Sequence, residues 1–159
     1  MAITPNTDFS AGAILTAQQQ NNFPRGVMAT ASSSTSYTLT TSVAISTGMT
    51  VTFTAVANRN YRVTYYEPQV QTPSTSGSFV ALNIRLTNAA GTQLTSSVVQ
   101  TNAATIINET VTTLYVGTFT AGSVTLVGTS TASVTTGTPV LTRGATSLAQ
   151  ITVEDIGTA

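Results

Sequence analysis

The stretch Met49-Thr50-Val51-Thr52-Phe53-Thr54-Ala55 alternates apolar residues with threonine at every step. A period of two with β-branched partners marks a strand with one face buried. Asn58-Arg59-Asn60 follows as a turn. Tyr61, Val63 and Tyr65 then alternate with Arg62, Thr64 and Tyr66 as far as Pro68, so the two runs read as a hairpin. Val80, Leu82, Ile84 and Leu86 repeat the pattern up to the turn Asn88-Ala89-Ala90-Gly91. Further strands are expected near 94–100, 109–119, 123–127 and 148–156, with Gly122, Gly128, Gly137 and Gly144 punctuating the stretches between them. Strands recurring every 8–15 residues with no helical period predict an all-β sandwich or closed barrel. The Ser/Thr content also fits a mucin-like stalk, but the apolar alternation is too regular and proline too scarce for one. No repeat of fixed period is present.

Composition narrows function. Of 159 residues, 41% are apolar but only 6% are charged, against roughly 25% charged in an ordinary soluble protein. The charges are five arginines and five acids, and threonine is the commonest residue. A net charge of zero gives no long-range steering, which argues against nucleic acid and anionic membrane as partners. It also lets neighbouring copies approach closely. No cysteine is present, so no disulfide or thiolate site is expected. Met1-Ala2-Ile3-Thr4-Pro5-Asn6 lacks the pattern of a signal peptide, and no apolar run approaches the ~20 residues of a membrane helix. Synthesis in a cytoplasm is the expectation.

Residues 1–25 differ from the rest and are read as an arm preceding one domain at 26–159. Thr16 caps a short predicted helix over Ala17–Asn22, ended by Phe23-Pro24. A helix this short needs a surface to dock on.

The chemistry available is meagre. Without His, Cys or Lys, triads, thiol chemistry and Schiff bases are closed. The acids are Asp8, Glu67, Glu109, Glu154 and Asp155. Glu154 and Asp155 are neighbours on a predicted strand and point to opposite faces. A spatial Glu67–Glu109 pair is the remaining arrangement for carboxylate catalysis. The plainer reading is surface ion pairs with Arg59, Arg62, Arg85 or Arg143, each contributing little. No metal-ligand spacing occurs, and Asn108-Glu109-Thr110 is a chance-level sequon. No catalytic, cofactor or metal site is therefore expected. Tyr61, Tyr65, Tyr66 and Tyr115 fit either a sugar-binding platform or, three times more readily, core and interface positions. Tyr65 and Tyr66 should place one ring on each face.

Two resemblances add to this reading. Phe9-Ser10-Ala11-Gly12-Ala13-Ile14-Leu15-Thr16-Ala17-Gln18-Gln19-Gln20-Asn21-Asn22-Phe23-Pro24-Arg25-Gly26 resembles the opening of small tailed-phage structural proteins, and Ala149–Gly157 resembles their closing strand. More loosely, Val51–Tyr65 and Val80–Leu94 are similar to two hairpins of the C1q/tumour-necrosis-factor jelly roll, although the threonine content departs from it. The resemblances imply an antiparallel jelly-roll β-sandwich on a virion surface, a homotrimer with Tyr61, Tyr65 and Tyr115 at its interface, and an arm whose Phe9, Ile14, Leu15, Phe23, Pro24 and Arg25 attach it. The short single domain favours a capsid decoration (cement) protein whose partner is the major capsid protein. A tail or fibre component on a tail platform protein, a module binding host surface glycan, and a secreted bacterial sandwich are the alternatives.

Overall fold

A computed structural model of the chain describes Ile14 and residues 16–159. Among the described residues, one short helix, α1 (Ala17–Asn21), precedes ten strands: β1 (Gly26–Ser33), β2 (Tyr37–Thr38), β3 (Ala44–Ala55), β4 (Arg59–Gln71), β5 (Phe79–Leu86), β6 (Gln93–Gln100), β7 (Asn108–Gly117), β8 (Gly122–Ala132), β9 (Val140–Leu141) and β10 (Ala149–Thr158). They form two antiparallel sheets. One runs β1-β10-β4-β7, with the short β9 and β2 taking the place of β10 and β1 beside the last residues of β4; the other runs β3-β8-β5-β6. The chain crosses between sheets from β2 to β3, β3 to β4, β4 to β5, β6 to β7, β7 to β8 and β8 to β9. That winding is an antiparallel jelly-roll sandwich.

The alternating residues meet between the sheets. Met49, Val51 and Phe53 of β3 face Tyr61, Val63 and Tyr65 of β4, joined by Leu82, Ile84, Leu126, Ile151 and Val153, all buried. Removing one such side chain, as in Leu82→Ala, is expected to destabilise by about 2–5 kcal/mol. In the centre of β8, a Cβ on Gly128 would lie 2.9 Å from Met49 Cβ and 3.0 Å from the Tyr65 ring. Glycine there is what admits the large ring.

The fold corrects two expectations from the sequence. The runs around Met49–Ala55 and Tyr61–Tyr66 are consecutive strands but not a hairpin. β3 pairs with β8, and β4 pairs with β10 and β7. The turn at Asn58, with φ of 58°, carries the chain across the sandwich, and Phe53 meets Tyr61 ring to ring with centroids 5.1 Å apart. Alternation fixes which face is buried; it does not say which strand lies alongside. The second expected hairpin is present as β5 and β6. Phe119, expected in a strand, sits in the β7–β8 turn.

The two ends of the sandwich differ. One gathers the turns 56–58, 87–92 and 118–121, the last residues of β10 and the base of the arm. The other gathers the longer connections 34–43, 72–78, 101–107, 133–139 and 142–148.

Candidate functional site

The described part of the arm is fixed at its base. Thr16 and Gln19 form a capping box: the Gln19 N–H donates to the Thr16 hydroxyl, and the Thr16 N–H donates to the Gln19 side chain at 2.9 Å. A five-residue helix is not self-supporting, so the fixing point matters. It is Arg59, the first residue of β4, which is almost wholly buried. Its Nε and Nη2 grip both carboxylate oxygens of Asp155 on β10, the Nη2 bond being 2.7 Å. Nη1 donates to the carbonyl of Asn21 and Nη2 to that of Phe23.

Arg59 therefore joins the end of the sandwich to the C-terminus of α1. The planar guanidinium suits this, because its fixed fork serves a carboxylate and two carbonyls together. Asp155 accepts a further bond from the Gly157 N–H at 3.0 Å. Gly157 has φ of +119°, and a Cβ on it would stand 3.4 Å from the Asn22 carbonyl oxygen. The bulge between Asp155 and Gly157 thus turns the backbone where the arm passes. The Ala159 N–H donates to the Asn58 carbonyl at 2.9 Å, holding the chain end in the same place.

The sequence-predicted anchor residues divide accordingly. Phe9 and Leu15 lie outside the described residues. Ile14 is 93% exposed, and Phe23, Pro24 and Arg25 are exposed beside the clamp. A shallow hollow lined by Asn21, Asn22, Arg25, Ala57, Asn58 and Thr158 adjoins them. No cluster of three or more metal-ligating side chains exists among the described residues.

At the opposite end of β4 lies a second buried ion pair. Arg143 grips Glu67, with Nε–Oε2 at 3.0 Å and a second bond from Nη2 to Oε1, and neither side chain is exposed. The Tyr65 hydroxyl donates to Glu67 and lies 2.9 Å from Ser46 Oγ, itself 3.2 Å from Ser130 Oγ. Burial, and then the neighbouring Glu67 charge, push the Tyr65 pKa well above the ordinary value of 10.0. Burial opposes the Arg143 charge, but its bonds and Coulombic attraction to Glu67 prevail and its pKa rises. Arg143 also donates to the Thr35 carbonyl at 3.2 Å.

These positions bear on the tyrosines, the carboxylates and the arginine pairs read from the sequence. Tyr61 and Tyr65 are wholly buried between the sheets, and Tyr115 is half-buried against Phe119, centroids 5.7 Å apart. Those rings fill the core, so Tyr61 and Tyr65 reach neither a subunit interface nor a sugar. Tyr66 takes the other face, as alternation requires. Glu67 is inside and paired while Glu109 is exposed on β7, so no catalytic carboxylate pair is assembled from them. Of the arginine ion pairs among the described residues, only Arg62–Glu154 lies at the surface, at 2.7 Å. Its hydrogen bond lowers the Glu154 pKa and raises that of Arg62.

No protein-family model matches the sequence, and no curated protein matches it. Among solved structures, a chain of infectious bursal disease virus, Gt strain, aligns at 15% identity over 99% of this chain and 51% of that one, with a TM-score of 0.22. A chain of the T=1 particles derived from that virus aligns at 16% identity, covering 98% and 45%, also at 0.22. The VP2 subviral particle gives 15% identity, 86% and 42%, at 0.20. The chain spans about half the length of these proteins or less. Overlap this loose assigns no role.

Proposed function

We propose that this protein is a non-enzymatic structural component of a virus particle, of the tailed-phage kind that its arm and closing strand resemble. In this reading it decorates the assembled shell, with the arm as the contact to the major capsid protein. The observation that carries it is the buried Arg59–Asp155 clamp. It holds two backbone carbonyls of the arm, so the arm is presented from a fixed point at one end of a neutral domain. A protein that binds the assembled shell and not its free subunits stabilises the shell by mass action. The homotrimer implied by the C1q/tumour-necrosis-factor likeness is not carried into the proposal, because two of its three interface tyrosines are core residues.

The test uses particles of the phage whose genome carries the gene. The labelled full chain should bind assembled heads, and a chain lacking residues 1–22 should stay folded and leave them bare. Full occupancy by the shortened chain, or binding confined to tails, would overturn the decoration reading. Inhibition of adsorption by the free protein, with matching binding on a glycan array, would replace it with host recognition.

A further inference from the structure

The outward face of the sheet β1-β10-β4-β7 carries a pattern that the arm does not explain. Along β7, Val111 and Tyr115 point inward as expected, but the polar and apolar places are exchanged at Thr113, Leu114 and Val116. Thr113 is wholly buried, and its hydroxyl has no hydrogen-bond partner among the described residues. Its outward neighbours Leu114 and Val116 are about half exposed. Val27, on β1 at the other edge of the sheet, is 61% exposed.

Strand register joins these residues in a line. Val27 lies beside Glu154, Glu154 beside Arg62, and Arg62 beside Val116. Across the four strands the line reads apolar, acidic, basic, apolar. A two-fold axis in the plane of the face, parallel to the strands and between β10 and β4, reverses this line onto itself. Each Val27 then meets the other chain's Val116, and each Glu154 meets the other chain's Arg62. The next line, Thr30–Thr152–Thr64–Leu114, brings Leu114 over a threonine and adds no charge. A three-fold axis does not reverse the line in this way.

We propose that this face is an isologous interface, packing the chain on a second copy of itself about that two-fold axis. Aligned packing of two sheets is a common way to bury such faces, and an isologous contact requires a self-complementary patch. Charge complementarity identifies the occupant: the complement of the line is the line itself. The interface does not involve the arm, so it stands whether or not the protein decorates a shell.

The purified full chain should sediment at twice the chain mass. Arg62→Glu and Glu154→Arg each set like charges against one another across the axis, and each should sediment as a folded monomer. Mixing equal amounts restores opposite signs and should return a dimer containing one of each. The chain has no cysteine among its residues, which allows a second, independent reading. Facing sheets stand ~10 Å apart, too far for a direct disulfide, so a short bismaleimide is the probe. It should join Val27→Cys to Val116→Cys when the two variants are mixed, and should join neither variant to itself. A monomeric or trimeric wild-type chain, variants that stay apart on mixing, or Val27→Cys cross-linking to itself would each overturn the proposal.

Discussion

The two ends of β4 carry the same chemistry put to different uses. At one end, Arg59 binds Asp155; at the other, Glu67 binds Arg143, and all four side chains are buried. Nη1 of Arg59 and the second N–H of its Nη2 reach outside the sandwich, to carbonyls of the arm. The oxygens at Glu67 reach inward, to Tyr65 and through it to Ser46 and Ser130 on β3 and β8. One pair fastens an appendage and the other fastens the two sheets. A buried ion pair is weak evidence for net stability, because desolvation offsets much of the attraction. What distinguishes the two is the element each holds, and that difference can be attacked from either side.

The largest effect is expected at the inward pair. Arg143→Met leaves the Glu67 carboxylate buried without its counter-ion, and should destabilise the domain by about 3–5 kcal/mol. Urea unfolding would show it as a lower midpoint with the cooperativity kept. An equal loss from Arg143→Met and from a change at an exposed charge such as Glu109→Gln would abolish the distinction between buried and exposed charges.

Arg59→Met should destabilise by a similar or smaller amount, but the informative readout is local. With the Asn21 and Phe23 carbonyls released, limited proteolysis should cut near residues 21–25 under conditions where the domain is intact. Replacing both partners, Arg59→Met with Asp155→Leu, removes the stranded charge and should recover most of the stability while the arm stays open to protease. If the double variant protected the arm as wild type does, Arg59 would not be its fastening. Smaller again is Tyr65→Phe, which deletes a hydroxyl that Glu67 uses and should reduce stability by about 1–3 kcal/mol.

Much of this was legible in the sequence, and the two ion pairs show where legibility stops. Glu67 continues the series Tyr61, Val63, Tyr65, and Asp155 continues Ile151, Val153. Each is an acid in the core register, a signal of a buried charge that the reading of these acids as surface partners passed over. Which arginine answers was not legible, since Arg59 lies 96 residues from Asp155 and Arg143 lies 76 from Glu67. The N-cap of α1 was readable at Thr16 because it is local. The two-residue strands β2 and β9 are too short to show any period. The tyrosines were ambiguous because an alternating aromatic fits an inner face and a partner's face equally well; only the sheet pairing decides.

The inward pair also makes a prediction about alkaline pH. The Tyr65 pKa is raised in the folded state, first by burial and then by Glu67, so the folded protein holds the phenolic proton more tightly than the unfolded chain does. A raised folded pKa means that the stabilising contribution is fully present below the unfolded value of 10.0. It is lost as pH climbs beyond that value, because the unfolded chain releases the proton first. Stability measured by denaturant should therefore fall above pH ~10. Tyr65→Phe removes the ionising group, so its curve should be flatter over the same range although it starts lower. Parallel curves for the two proteins would mean that the alkaline loss arises elsewhere, and that the network at Glu67 does not hold its proton through Tyr65.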